Sequence, residues 1–322
     1  MIAAMRVTIT QNIRADRFVA DHLNIGRNEA ARLIKLGFVC GVAKPAQLLK
    51  TGDEITINMP EAAPIEAAPI VDFEVPTLYE DDEILIVNKP AGLVVHSAPS
   101  HKGATLVDWL RSKGFSLSTA SGEARSGIVH RIDKETTGAL CIAKSNAAHR
   151  SLAAQLESRE MGRYYLAIVD RALKEDTIVD KPIARHPKER VKMAVVTGGR
   201  TAKSAFVKLL GLGNNQELIA AKLFSGRTHQ IRVHLQSLSI HIVGDTLYGY
   251  KQPKDKIAAI YLHAYLLYLQ HPKSGDLVMV KAPLSAPFVD KLEIHKEKLD
   301  EILQPDAVVR RFDRFLGLRH PA

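Results

Sequence analysis

One carboxylate, Asp133, stands in a polar stretch between two apolar runs of the segment GIVHRIDKETTGALCIAK, which covers residues 127–144. The apolar runs predict strands from Ile128 to Ile132 and from Gly138 to Ala143, with a turn between them. A carboxylate at such a turn can act as a nucleophile or a base. It can equally cap the turn with Arg131 as its surface partner, and local spacing leaves both interpretations open.

Three further segments place polar side chains at the predicted ends of strands or helices. They are Lys89-Pro90 with His96, the strand start Arg163-Tyr164-Tyr165, and SGRTHQIR at residues 225–232. The last segment predicts a strand-to-helix turn, and the free amides and partial positive charge of a helix N-terminus suit a phosphate. Arg227 and Arg232 reinforce that positive charge, so this turn is a candidate phosphate-binding site.

Several common chemistries do not fit these residues. The histidines of HQIRVH stand five apart with no glutamate between them, unlike the spacing that puts two metal ligands on one helix face. The glycine-rich segments lack the features of a phosphate loop or a dinucleotide fold, and there is no GxSxG. Both cysteines, Cys40 and Cys141, are expected to be buried small hydrophobes rather than a disulfide. The sequence therefore predicts a redox-neutral reaction that uses no metal and no cofactor.

Charge points to an acidic polymer as the partner. The 322 residues include 44 Lys and Arg against 35 Asp and Glu, a formal net charge of +9. Such a balance favours nucleic acid ahead of a membrane surface. The N-terminus shows no basic segment followed by a long apolar run, and no stretch approaches the roughly 18 apolar residues of a membrane span. We therefore expect a cytoplasmic protein with no membrane association, and a monomer by default.

A change of composition divides the chain. The segment PEAAPIEAAP, from Pro60 to Pro69, predicts an extended linker, which we place at residues 60–71. It separates a module of residues 1–59, with two predicted short helices and predicted strands at Phe38 to Val42 and Glu54 to Asn58, from a body of residues 72–322. Three basic residues, Arg27, Arg32 and Lys35, lie close together on or just before the second helix. They form either a solvated face or an RNA-binding surface.

The body alternates many predicted strands and turns with a few helices. The predicted helices run from Thr105 to Lys113, from Asn146 to Glu160, from Thr228 to Leu238 and from Ala286 to Leu303. Strands joined by short turns favour antiparallel pairing. The predicted fold class is α+β, with a mixed, mostly antiparallel sheet in the body and a small α+β module at the N-terminus.

Taken together, the motifs of the body resemble the RluA and RluD family of RNA pseudouridine synthases. The matching blocks are NKPAGLVVH, GIVHRIDKETTGALCIAK, RYYLAIV, RHPKERVKMAV, SGRTHQIRVH with HIVGDTLYG, and LHAYLLYLQHP ahead of VKAPL. Ser225 departs from the usual Thr but keeps a hydroxyl. The N-terminal module resembles the RNA-binding module named after ribosomal small-subunit protein S-four, and this pairing looks closest to the RluD-like branch.

This resemblance implies an enzyme that isomerises uridine to pseudouridine in structured RNA. Large-subunit (23S) ribosomal RNA is the leading substrate, and transfer RNA is the alternative within the same family. A noncatalytic RNA-binding assembly factor is an alternative of a different class. Cofactor and metal are unnecessary for the reaction.

The resemblance also assigns roles to individual residues. Asp133 is the nucleophile that attacks the ribose anomeric carbon or the uracil ring, or a base that acts first on the ribose; the three routes stay open. Arg232 pairs with that carboxylate, and Tyr165 stacks on the uracil. Arg131 fills the space left by a uridine that must leave its stack before reaction. His130 has a supporting place beside the RNA backbone or in packing.

Further RNA contacts are expected from basic residues outside this set. Arg227 and His229 belong to the SGRTHQIR turn. Arg190 lies in a predicted hairpin within residues 181–203, which hold seven Lys or Arg and one acidic residue. This hairpin is either a phosphate-contacting strip or a solvated charged surface.

Overall fold

The computed structural model describes residues 4–23, 25, 27–58, 70–97, 101, 103–251, 259–293 and 296–315. The predicted linker at 60–71 lies almost wholly outside these ranges. The chain divides into two compact units: residues 1–72 with 96–128, and residues 73–95 with 129–322. The domain limits 1–59, 60–71 and 72–322 stay predictions. Within the described ranges, no helix is long and apolar enough to cross a membrane.

The described residues of the first unit form three α-helices and five short strands. Its elements are β1 (Ala4–Thr8), β2 (Ile13–Arg14), α1 (Ala15–Leu23), α2 (Arg27–Lys35), β3 (Val39–Cys40), β4 (Leu48–Leu49), β5 (Glu54–Asn58) and α3 (Leu106–Ser112). Strand β5 lies between β1 and β3, and both pairs are antiparallel. The apolar faces of α1 and α2 pack on this sheet through residues such as Val19, Leu33 and Ile57.

The second unit contains the large sheet and most of the helices. Its strands are β6 (Thr77–Glu80), β7 (Ile84–Lys89), β8 (Thr137–Ala143), β9 (Gly162–Val169), β10 (Thr177–Asp180), β11 (Ile183–Arg185), β12 (Met193–Val195), β13 (Lys203–Gly213), β14 (Gln216–Leu223), β15 (Leu262–Gln270) and β16 (Leu277–Lys281). Its helices are α4 (Asn146–Ser158), α5 (Gln230–Gln236), α6 (Ala286–Leu292), α7 (Lys296–Ile302) and α8 (Pro305–Arg310).

Nine strands form one sheet in the order β10-β13-β14-β9-β15-β8-β7-β6, with β16 paired to β15. Among the described strands of this sheet, the β15–β8 pair is parallel and the other pairs are antiparallel. This confirms the predicted α+β class with a mixed, mostly antiparallel sheet. The parallel contact is close, because a Cβ on Gly138 would lie 2.2 Å from the carbonyl oxygen of Ala264. Gly138 therefore lets β15 approach β8 directly after the turn that carries Asp133.

The predicted strand from Ile128 to Ile132 does not form: Ile128 makes an isolated β-bridge, and residues 129–132 are bends or irregular. A side chain makes the contact that a strand backbone would make. The Nε2 atom of His130 accepts a hydrogen bond from the backbone N–H of Cys141 in β8, at 3.0 Å. The apolar residues are still buried, with Ile128 and Ile132 under 10% exposed. Burial without periodic backbone pairing explains why the apolar run resembles a strand in the sequence.

One prediction about the cysteines was wrong. Cys141 is buried in β8, but Cys40 is exposed, and both are free thiols. Successive side chains of a strand point to opposite faces of the sheet, and in β3 Val39 is buried while Cys40 is exposed.

Candidate active site

The turn that carries Asp133 is fixed by backbone contacts. The carbonyl oxygen of Asp133 accepts a hydrogen bond from the N–H of Thr136, at 3.1 Å. The next carbonyl, that of Lys134, accepts hydrogen bonds from the N–H of Gly92 and from the Lys89 ammonium, both at 2.9 Å. The Asp133 carboxylate is thereby held with 15% of its side chain exposed.

Lys89 is the buried support of this turn. Its side chain is fully buried and donates to the carbonyls of Pro90, Leu93 and Lys134 at 2.7–2.9 Å. Burial lowers the pKa of Lys89 to about 7, while the three carbonyl acceptors favour the ammonium form. The NKP segment and the Asp133 turn are thus joined by one side chain.

Arg232 lies between two carboxylates. Its Nη1 donates to Oδ2 of Asp133 at 3.2 Å, while its Nε and Nη2 donate to the two oxygens of Asp245 at 2.7 and 2.8 Å. Asp245 is fully buried, and Arg232 is 6% exposed. Burial disfavours the charge of Arg232, but the hydrogen bonds and attraction of Asp245 and Asp133 outweigh it and raise its pKa. Arg232 is therefore a permanent cation held at a fixed place beside Asp133.

An aromatic ring covers the other side of Arg232. The guanidinium lies 4.8 Å from the centroid of the Tyr248 ring, a cation–π contact. The Tyr248 hydroxyl accepts from the N–H of Met193 in β12 and lies 2.7 Å from Nδ1 of His229. Burial lowers the pKa of His229, which favours the neutral imidazole. Tyr248 thus connects the β11–β12 hairpin to the arginine beside Asp133.

Tyr165 faces the same cleft from β9. Its register partners on both neighbouring strands are alanines, Ala221 and Ala264, which leave room beside the phenol ring. Burial raises the pKa of Tyr165 to about 12, so the hydroxyl is un-ionised at neutral pH. Tyr164 points to the opposite face, where it packs near Tyr268 and Phe312. The predicted alternation of the two tyrosines is confirmed.

One cleft of the second unit brings together six of the eleven predicted site residues. It is lined by Arg131, Asp133, Tyr165, Arg227, His229 and Arg232, together with Thr136, Arg163, Gly226, Gln230 and apolar or small neighbours. Arg131 is exposed at the cleft. The turn before α5 differs from the sequence expectation in one respect. The Gln230 side chain accepts from the N–H of Arg227 at 2.9 Å, so that amide is already bonded within the protein.

The other predicted residues lie elsewhere. His130 is 8% exposed, and burial lowers its pKa to about 3; its place corresponds to the packing alternative. Arg190 is exposed between β11 and β12, and its carbonyl accepts a hydrogen bond from Arg185. Arg27, Arg32 and Lys35 lie on α2 of the other compact unit.

Sequence reasoning gave no role to Asp245, Tyr248 or Arg163. The first two belong to the block HIVGDTLYG, which was recognised as a motif without a function. An acidic residue and a tyrosine in a block downstream of Arg232 were the available signal. Both contact Arg232 in the tertiary structure, and Asp245 does so across 13 residues of the chain. No local periodicity of the sequence predicts these contacts.

Comparisons with known proteins agree on one family. A family model described as RNA pseudouridylate synthase matches residues 83–237. A Helicobacter pylori protein called an uncharacterized RNA pseudouridine synthase is 42% identical over 320 residues, covering 95% of this chain and 98% of that protein. The ribosomal large subunit pseudouridine synthase D of Xanthomonas campestris is 38% identical over 254 residues, covering 75% of each chain. The solved structure of human RNA pseudouridylate synthase domain containing 1 shares the fold, with 23% identity, a TM-score of 0.57 and coverage of 77% of this chain and 97% of that one.

The fold and these similarities define an isomerase that acts on RNA. The chain belongs to the RNA pseudouridylate synthase family.

Proposed function

We propose that this enzyme isomerises uridine in structured RNA with Asp133 as its nucleophile, and that large-subunit (23S) ribosomal RNA is its substrate. The observation that carries the catalytic assignment is the Asp133 carboxylate hydrogen-bonded to Arg232 in a cleft that Tyr165 also lines. The substrate assignment takes its support from the Xanthomonas relative, whose name gives a ribosomal large-subunit activity. Transfer RNA is the alternative substrate.

The charges of the site suit a carboxylate nucleophile. A carboxylate must remain ionised to attack, and a neighbouring cation favours the ionised form. Arg232 supplies that cation without being free to move, because Asp245 holds its other two donor positions. The attacking group then leaves again after the detached base has rotated to present carbon in place of nitrogen. Attack on the ribose, attack on the uracil ring and initial action as a base on the ribose all begin from this carboxylate.

Tyr165 and Arg131 complete the proposed binding of the uridine. The ring of Tyr165 stacks on the uracil, and Tyr165 helps to remove the proton of the uracil ring at the end of the reaction. Arg131, which is exposed at the same cleft, fills the vacated space in the RNA. Arg227 and His229 contact the RNA from the turn before α5, and Arg190 contacts phosphates from the β11–β12 hairpin. We further propose that the module of residues 1–59 binds RNA through α2 and that the enzyme acts in the cytoplasm.

The test of the function combines one variant with one map. Purified Asp133→Asn protein should show no isomerisation and nearly unchanged RNA affinity, because the amide keeps the shape and loses the nucleophile. Appreciable turnover by this variant would refute the assignment of Asp133. Transcriptome-wide pseudouridine mapping with and without the gene identifies the RNA. Loss of a pseudouridine signal from 23S ribosomal RNA in the absence of the gene supports that substrate. Loss of a signal from transfer RNA supports the alternative substrate. No change in any RNA favours a noncatalytic RNA-binding factor.

A further inference from the structure

Arg163 is a buried cation of the cleft that has no counter-charge among the residues that the structure describes. It lies in β9 two residues before Tyr165, lines the same cleft and is only 8% exposed. Its Nε is buried without a hydrogen-bond acceptor. Within the described part of the chain, no side chain or carbonyl forms an ion pair or a hydrogen bond with its guanidinium.

Comparison with Arg232 shows that Arg163 lacks a counter-charge among the described residues. Arg232 is as deeply buried, at 6%, but two carboxylates surround it. Burying a charge without a partner costs free energy, and proteins ordinarily pair such a group. A charged neighbour in the same cleft is Arg227, whose cation repels that of Arg163; burial and, to a lesser extent, this repulsion lower the Arg163 pKa. The site is therefore suited to receive an anion from outside the chain.

A glycine, Gly226, lies next to the guanidinium of Arg163. Gly226 lies so close that a Cβ at this position would stand 2.8 Å from Nη1 of Arg163. A larger residue would press on the guanidinium and cover it from the side of the turn. Gly226 is itself exposed, so an anion can approach Nη1 past this glycine.

We propose that Arg163 binds a backbone phosphate of the RNA, adjacent to the uridine that Tyr165 holds, with Arg227 as the second cation of this subsite. This inference rests on the proposed function. A phosphate is favoured over a uracil carbonyl because a phosphodiester carries a formal negative charge that can balance the buried guanidinium, whereas the carbonyl is neutral. The planar fork of arginine also matches two phosphate oxygens.

A double-mutant cycle between protein and RNA tests the contact. The RNA is one that the wild-type enzyme modifies, and binding is measured with the Asp133→Asn protein so that no turnover occurs. Three RNAs each carry one neutral methylphosphonate: 5′ to the target uridine, 3′ to it, or several nucleotides away. The protein side compares Arg163 with Arg163→Met and Arg163→Lys, and uses Arg150→Met, an exposed arginine on α4, as the matched control.

We expect one of the two adjacent methylphosphonates to weaken binding to the Arg163 protein by roughly tenfold to hundredfold, the worth of one charge-assisted hydrogen bond. The same methylphosphonate should hardly weaken RNA binding by Arg163→Met any further and should weaken binding by Arg163→Lys by an intermediate factor. Arg150→Met should respond to it as the parent protein does. Equal losses for Arg163 and Arg163→Met with every RNA would overturn the phosphate contact. A loss of affinity in Arg163→Met without any such coupling would indicate a contact to the uracil and would also overturn it.

Stability separates a ligand-binding role from a structural one. Without RNA, Arg163→Met should keep or raise Tm, because replacing an unpaired buried charge by an apolar side chain is neutral or favourable. A fall of several degrees would show that Arg163 supports the fold and would overturn the inference. Failure of the proposed function is seen separately, since no RNA would then be modified by the wild-type enzyme, whereas failure of this inference leaves an active enzyme without coupling.

Discussion

Asp245 accepts two hydrogen bonds from Arg232, which leaves Nη1 of that arginine directed at Asp133. The carboxylate proposed to attack is therefore positioned by a residue it does not touch. Asp245 is fully buried and forms an ion pair with Arg232 at 2.7 Å. The orientation of the arginine depends on this pair.

Replacing Asp245 by Asn tests that dependence. Asn retains the volume but loses the charge and one acceptor, so Arg232 should turn away from the position that serves Asp133. Misplacement by about 1 Å costs roughly 100-fold in rate, and we expect a fall of kcat of this order with nearly unchanged RNA affinity. Single-turnover kinetics and binding assays measure the two effects. Asp170→Asn, which removes the carboxylate bonded to His241, is the matched control; an equal rate loss there would contradict the prediction.

Tyr165 can be divided into its ring and its hydroxyl. Tyr165→Phe keeps the ring and should keep RNA affinity, whereas Tyr165→Ala should weaken it by the roughly 1–3 kcal/mol that a base–aromatic stack contributes. Because burial raises the pKa of Tyr165 to about 12, the wild-type rate should show no inflection from this hydroxyl between neutral pH and about pH 10. An inflection in that range that disappears in Tyr165→Phe would be inconsistent with the buried phenol.

Lys89 should act through the Asp133 turn. Lys89→Met keeps an unbranched side chain but leaves the carbonyls of Pro90, Leu93 and Lys134 without the ammonium donor. Buried acceptors that lose a partner cost about 1–3 kcal/mol each, so the free energy of unfolding should fall by at least about 2 kcal/mol. Denaturant unfolding measures the change. Lys134→Met, at a residue whose side chain is 55% exposed, should have little effect, and similar losses in both variants would argue against a specific role for Lys89.

Asp16 should make the stability of the first unit depend on pH in the acidic range. Hydrogen bonds from Arg14, assisted by Arg27, lower the pKa of Asp16 from 3.8 to about 2. The unfolded state therefore binds more protons between these values, so the stabilisation is complete above pH 3.8 and is lost as pH falls towards 2. Hydrogen exchange of α1 should show more protection in wild type than in Asp16→Asn at about pH 5, and the difference should shrink at about pH 2.5. A difference that is independent of pH would contradict this assignment.

The basic residues of α2 should contribute RNA affinity without chemistry. Removing two charges in Arg32→Gln/Lys35→Gln should weaken RNA binding and make the dependence of log K on log salt shallower, by about 0.7–0.9 for each phosphate that is no longer neutralised. The single-turnover rate at saturating protein should stay unchanged. Titrations at several salt concentrations measure the slope. An equal loss in affinity and rate would argue that the module of residues 1–59 is not a separate binding element.

Some features of this protein could be predicted from the sequence because they depend on neighbours along the chain. Ser145 caps α4 by accepting from the N–H of Ala148, and the apolar period of the following residues fixes the helix. The alternation of Tyr164 and Tyr165 follows from the two-residue repeat of a strand. The resemblance of the sequence motifs to a known family pointed to Asp133, Tyr165 and Arg232, and all three line one cleft.

Other features were decided only by the tertiary structure. Asp133 and Arg232 are 99 residues apart, and the order β14-β9-β15-β8 of the sheet brings the turn before β8 and the helix after β14 to one cleft. The burial of Lys89, the pairing of Asp245 with Arg232 and the buried charge of Arg163 depend on which surfaces meet across that sheet. His130 shows the same limit, because its bond to Cys141 replaces the strand that the apolar run around it predicted. Local periodicity reports which side of an element is apolar, but hydrogen bonds between distant side chains depend on strand order and register, which no short stretch of sequence encodes.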